Sequence, residues 1–170
     1  MGMKVKISGE GLGELKDAIA FLKDKRVLVG IPQAKAVSRG KVTNVDLAFI
    51  HTMGSPRLRI PPRPFLEPAI DEAKDKIAER MKAAAQAIIE GDAGAAMDEL
   101  HKAGLYGENA AKAYFSGGHF VPNAGITVEG GWMRNRISGK PFKVKGKGSA
   151  APLIDTGSLR SSITHIIEGK

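Results

Sequence analysis

The 170-residue sequence contains no cysteine. This excludes a disulfide framework, a thiolate metal site and a cysteine nucleophile, and it suits a reducing compartment. Aromatic residues are scarce, with one Trp, two Tyr and six Phe, so the core is expected to be aliphatic and rich in alanine. No run of about 18 apolar residues occurs, so neither a membrane span nor a membrane partner is expected. The opening Met-Gly-Met-Lys-Val-Lys lacks the apolar centre of a signal peptide, and none is expected. Phosphate-cradling glycine signatures are missing as well. Gly9-Glu10-Gly11-Leu12-Gly13 has the wrong spacing and precedes no suitable strand unit.

Catalytic constellations are equally sparse. His51, His101, His119 and His165 lie 50, 18 and 46 residues apart, which is no metal-ligand spacing. No serine and histidine share a nucleophile-elbow context. Leu153-Ile154-Asp155-Thr156-Gly157 matches the aspartic-protease triplet, but that chemistry needs two carboxylates sharing a proton. There is one copy, and only 13 residues follow Gly157, too few for a flap and supporting sheet. Asp155, Thr156 and Gly157 are therefore read as a structural turn. No catalytic residue, metal or cofactor is expected, and the protein is read as non-enzymatic.

What the sequence does have is positive charge, +8 in all. Between Gly131 and Lys170 eight basic residues face two acidic ones, so six of the eight net charges sit in the last forty residues. Arg134, Arg136, Lys140, Lys143, Lys145 and Lys147 carry most of it. Such a cluster is a candidate contact for nucleic acid or an acidic partner. The same residues, in a glycine-rich stretch poor in apolar side chains, also read as a solvated flexible loop over 139–150. No aromatics alternate with the lysines along the sequence, which weakens the nucleic-acid reading.

Periodicity supplies the elements. Lys4 to Ser8 alternates as a short strand, and Leu12, Leu15, Ile19 and Leu22 mark an amphipathic helix over 12–25. Residues 26–31 form an apolar run of strand length, and 33–43 reads as an exposed loop. Asn44 is a plausible N-cap for a helix with Val45, Ala48, Phe49 and Thr52 in helical register, ended by Gly54. Five prolines in the fourteen residues from Ser55 to Pro68 forbid helix or central strand, giving an extended, stiffened segment with Arg57, Arg59 and Arg63. It reads either as an assembly arm anchored by Pro64, Phe65 and Leu66, or as a linker packing Phe65 on its own core.

A long helix follows from Pro68, with Ile70, Ile77, Met81, Ala84, Ile88 and Ile89 as its buried stripe and Gly91 as its terminator. A second helix over 93–115 has Ala96, Leu100, Ala103, Gly107, Ala110 and Tyr114 on one face, and Gly91-Asp92 makes the two an antiparallel hairpin. The segment beyond Ser116 reads as loop until a short capped turn near 155–160 and a terminal strand over 162–167. The fold class is α+β: a small mixed or antiparallel sheet on a long antiparallel helix pair, with a proline-rich arm and a basic loop. A chain of this length buries roughly two-thirds of its unfolded surface, enough for a single domain over residues 1–170.

Two stretches carry a resemblance. Ile50-His51-Thr52-Met53-Gly54-Ser55 followed by Ile60-Pro61-Pro62-Arg63-Pro64-Phe65-Leu66-Glu67-Pro68-Ala69-Ile70 resembles a hallmark of tailed-bacteriophage morphogenesis proteins. Pro152-Leu153-Ile154-Asp155-Thr156-Gly157-Ser158-Leu159-Arg160-Ser161-Ser162-Ile163-Thr164 is similar to an element of phage neck and tail-completion proteins, the minor tail protein Z group among them. The resemblance covers about residues 26 to 167. It implies a structural virion protein at the head–tail junction, assembled in the bacterial host cytoplasm as a homo-oligomeric ring, often a hexamer. The partners it implies are connector, neck and tail proteins, with genome DNA in the channel as a candidate contact. The alternative is a basic nucleic-acid-binding module.

Overall fold

The computed structural model describes residues 9–33, 38–39, 42–136, 138–150 and 157–169. The expected strand from Lys4 to Ser8, and Asp155 and Thr156 of the expected turn, lie outside them. Helix α1 (Gly9–Asp24) passes without a loop into strand β1 (Lys25–Gly30), close to the bounds expected from periodicity. Within the segment expected as loop, β2 (Ser38–Arg39) and β3 (Val42–Thr43) form a minimal antiparallel pair.

Helix α2 (Asn44–Met53) is capped by Thr43, one residue earlier than expected. Thr43 Oγ1 accepts from the Asp46 amide, and Asp46 Oδ2 accepts from the Thr43 amide at 2.8 Å. This reciprocal box satisfies two donors that would otherwise be orphaned. Asn44 is thereby released for tertiary work. It is fully buried, and its Nδ2 donates to Ser162 Oγ at 2.6 Å and Ser158 Oγ at 3.0 Å. These bonds fasten α2 to the short helix α6 (Ser158–Ser162).

Helices α3 (Leu66–Ile89) and α4 (Ala93–Ser116) are each 24 residues long, about 36 Å. Their turn is a Schellman closure: Gly91, at φ +81°, donates to Ile88 O at 3.0 Å, and Asp92 N donates to Ala87 O at 2.9 Å. Asp92 then caps α4 through the Ala95 amide at 2.8 Å. The buried face of α3 is rotated from expectation. Ala69, Ala84, Ala87 and Ile88 are buried, whereas Met81 and Ile89 are exposed. The cause is that α4 brings small side chains to the contact, so the alanine face of α3 makes the closest approach. On α4, Ala111 and Phe115 take the buried positions expected of Ala110 and Tyr114.

The small residues of α4 also seat a sheet. Strand β6 (Thr164–Gly169) pairs antiparallel with β1, placing Val27 opposite Ile167 and Val29 opposite His165. A Cβ on Gly104 would lie 2.5 Å from the His165 ring, and one on Gly107 would lie 2.9 Å from Val29 and 3.0 Å from Ile70. Glycine inside a helix costs roughly 0.5–1 kcal/mol relative to alanine, and here that loss permits direct contact between helix and strands. The architecture is therefore α+β, a small antiparallel sheet on a long antiparallel helix pair.

One apolar cluster joins distant segments: Phe65, Ala69, Ala111, Phe115, Leu159 and Ile163. Phe65 and Phe115 meet edge to face, with ring centroids 5.2 Å apart. The core is thus not purely aliphatic; its few aromatics are concentrated in this cluster.

Candidate assembly surfaces and basic hairpin

The proline-rich segment folds back on the chain instead of projecting as an arm. Pro56–Leu58 is a short 3-10 turn, closed by Arg59 in the left-handed region at φ +56°. Ser55 and Ile60 then exchange backbone hydrogen bonds at 2.8 and 3.0 Å. Gly54 makes this possible, because a Cβ there would lie 2.8 Å from Ile60 O and Pro62 N. Pro61, Pro62 and Pro64 lie outside helix and strand, as expected, whereas Pro56 opens the turn and Pro68 sits in the first turn of α3.

The six residues expected at an interface divide into two groups. Arg63 is only 7% exposed and donates to the carbonyls of Val121 and Pro122, and Phe65 is 3% exposed in the core. Burial lowers the Arg63 guanidinium from its ordinary value. These two are intramolecular fixings, so of the two readings of Phe65 the packing is that of a linker on its own core and not of an intermolecular anchor. Arg57, Arg59 and Pro64 are exposed, and Leu66 is half-buried at the start of α3.

The expected basic loop is largely a hairpin. A short helix α5 (Gly125–Glu129) leads into β4 (Gly130–Arg134), which pairs antiparallel with β5 (Pro141–Lys145). Residues beyond β5 are tied back, Lys147 N to Thr127 O and Gly148 N to Val128 O, both at 2.9 Å. The alternation Phe142-Lys143-Val144-Lys145 is a period-two strand pattern that the lysine-rich composition obscured. The register puts Trp132 opposite Lys143, with Arg134 and Lys145 on the same face. Trp132 is 70% exposed. An aromatic does therefore stand among the cations, delivered across the strands rather than along the chain.

The opposite face of the hairpin pairs Met133 with Phe142. It opens on a groove of about 620 Å³, also lined by Arg57, Arg59 and Arg136, and by Arg134 at the end of β4, which borders both faces. Arg136 donates to the Arg57 carbonyl at 3.2 Å, so the proline-rich turn and the hairpin meet there. Two groups of basic residues that are far apart in sequence are thus neighbours. Lys140, Lys143, Lys145 and Lys147 are all exposed. From Gly130 to Ala150 the sequence has no acidic residue.

Two apolar surfaces are made largely of residues that periodicity marked but did not place toward solvent. On α2, Val45, Phe49 and Met53 follow at i, i+4 and i+8, and Phe49 and Met53 are each 64% exposed. The buried Asn44 sets the rotation of α2, turning Leu47 and Ala48 toward the core and this stripe outward. Elsewhere, β1 and α3 flank a groove of about 900 Å³ lined by Val27, Leu28, Ile70, Ile77 and Met81. Glu67 and Asp71 stand on its α3 wall and Lys25 and Arg26 at the start of β1. Lys25 is engaged with Asp24 at 3.7 Å and lies over the Phe21 ring.

The histidines serve packing. Glu108 Oε2 accepts from His165 Nδ1 at 2.7 Å and from the His165 amide at 3.2 Å, while Lys112 pairs with Oε1. Burial would raise Glu108, but the hydrogen bonds from Lys112 and His165 outweigh it and hold the carboxyl below its ordinary value. His119 stacks on Tyr114 at 4.4 Å. Burial, with the nearby charges of Arg63 and Lys147, lowers His51. Among the described residues no three His, Asp or Glu side chains gather as a metal-holding group, and no helix is long and apolar enough to cross a membrane. Of the expected turn, Gly157 is at φ +72° and caps α6.

Neither a family model, nor a curated protein, nor a solved structure matches this chain.

Proposed function

We propose that the protein is a non-enzymatic structural component of a phage neck or tail junction, working as a ring of identical subunits. The observation that carries this reading is a pair of unlike, complementary surfaces on one chain. One surface is the α2 stripe of Val45, Phe49 and Met53, followed by the exposed Arg57 and Arg59. The other is the apolar groove between β1 and α3, with Glu67 and Asp71 on its wall. Glu67 and Asp71 form no ion pair with any described residue. When such surfaces of neighbouring copies meet, the contact is heterologous, and heterologous contacts close into rings when the rotation per subunit allows. Opposite charges flanking an apolar centre favour this pairing over like-to-like contact.

The resemblance of the two motifs gives the ring its setting, at the head–tail junction and against connector and tail proteins. Phe65 of the first motif and Leu159 and Ile163 of the second share one core cluster with Ala111 and Phe115 of α4, which offers a physical reason for the motifs to occur together.

A charge swap tests the reading. Light scattering of the full chain should show an oligomer that Arg57→Glu with Arg59→Glu dissociates. Adding Glu67→Arg and Asp71→Arg to that variant should restore it. A wild-type chain that stays monomeric at every concentration, or an oligomer indifferent to these changes, defeats the proposal.

A further inference from the structure

We propose that the outer face of the β4–β5 hairpin is a binding platform for single-stranded nucleic acid, with Trp132 as the stacking surface. This goes beyond the assembly reading and does not depend on it, because one chain carries the whole face. Trp132 is the only tryptophan in the sequence and is 70% exposed. Single exposed apolar side chains are common, so what marks this one is the set of charges around it. Its neighbours say what kind of ligand. Lys143 is directly opposite it, Arg134 is two residues along the same strand, and Lys145 is opposite Gly130 on the same face.

All three cations are exposed, and none forms an ion pair with a described residue. Three unpaired cations around one aromatic do not suit an apolar partner, which would have to desolvate them. They suit a polyanion that also presents flat apolar rings. A single strand offers both, phosphates for the cations and unstacked bases for the indole. A duplex offers the phosphates alone unless it is opened, and an acidic peptide offers charge without bases. The hairpin is a fit support for such a face: its register is antiparallel and continuous over five residue pairs, and the turn is closed by Asn135 N to Lys140 O at 2.8 Å.

The probe is a fluorescently labelled oligothymidylate, followed by anisotropy with the full chain, with a duplex of mixed sequence and poly-glutamate as competitors. Oligothymidylate should bind, quench the emission of Trp132, and weaken with salt at a slope of about −2 in log–log form if three phosphates are held. Trp132→Ala should lose about tenfold or more in affinity, and Trp132→Phe should recover most of it. Lys143→Ala should lower the salt slope by about 0.7. Because these side chains are exposed, an unchanged melting temperature verifies that the variants are folded. The proposal is overturned by absent binding, by unchanged affinity in Trp132→Ala, or by duplex or poly-glutamate competing as well as the single strand.

Discussion

Replacing Phe65 with alanine separates the two roles available to the proline-rich segment. Phe65 is 3% exposed, and its ring meets Phe115 edge to face at 5.2 Å. Truncating a buried phenylalanine costs about 3–5 kcal/mol, more where the surroundings cannot collapse into the void. Collapse is restricted here, since Ala69 and Ala111 sit on two helices that the Gly91 turn holds in register, and Ile163 is pinned between α6 and β6. The upper half of that range is expected, a large part of the roughly 5–15 kcal/mol that stabilises a typical domain. For a chain of this size the melting temperature should fall by about 10 °C or more. Thermal and urea unfolding followed by circular dichroism, at a dilution where association does not contribute, gives the value. Pro64→Ala, at the exposed neighbour, should stay within about 0.5 kcal/mol of wild type. A Phe65→Ala chain that melts like wild type yet fails to associate would show that Phe65 is an intermolecular anchor, and would refute the packing described.

Gly104→Ala would place a Cβ 2.5 Å from the His165 ring, so the roughly 1 kcal/mol gained in helix propensity should be outweighed by displacement of β6. Amide exchange should then quicken in β1 and β6 before the helices; uniform protection would contradict this. Glu108 gives a pH dependence of definite sign. Its folded-state pKa lies below the ordinary 4.5, so its contribution is fully present above that value and is lost as the pH falls through the folded pKa. Glu108→Gln should flatten that part of the stability–pH curve, measured as the urea midpoint from pH 6 downward; an unaltered slope would mean that the Glu108 contacts with Lys112 and His165 carry no net effect.

Most elements were legible because their signals are local. The alternation of apolar and polar residues in α1, α3 and α4, the Gly91-Asp92 stop and the apolar run of β1 need no distant partner to be read. The β4–β5 hairpin was not legible. Its apolar positions are few, its lysines suggest solvent, and a partner strand lies across the Asn135–Lys140 turn. The cap of α2 was misplaced by one residue because threonine and asparagine both cap well, and only the demand of Ser158 and Ser162 for a buried donor separates them.

The candidate surfaces depended still more on tertiary placement. The basic residues were evident as a group, and the lone tryptophan beside them was a usable signal. What could not be read was that Trp132 stands opposite Lys143, or that Arg57 and Arg136 meet. Likewise Val45 and Phe49 appeared as a helical stripe whose side, core or solvent, the periodicity left open.

By itself the sequence determined the helix pair, the lack of cysteine chemistry, the lodging of charge near the C-terminal end and the stiffness of the segment between α2 and α3. Those follow from composition, side-chain period and the restricted φ of proline, all properties of neighbours along the chain. The tertiary structure alone decided that Phe65 and Arg63 face inward while Phe49, Met53 and Trp132 face out. Burial is settled by which surfaces reach each other first, and here the small residues of α4 and the Asn44 bonds to α6 set that order.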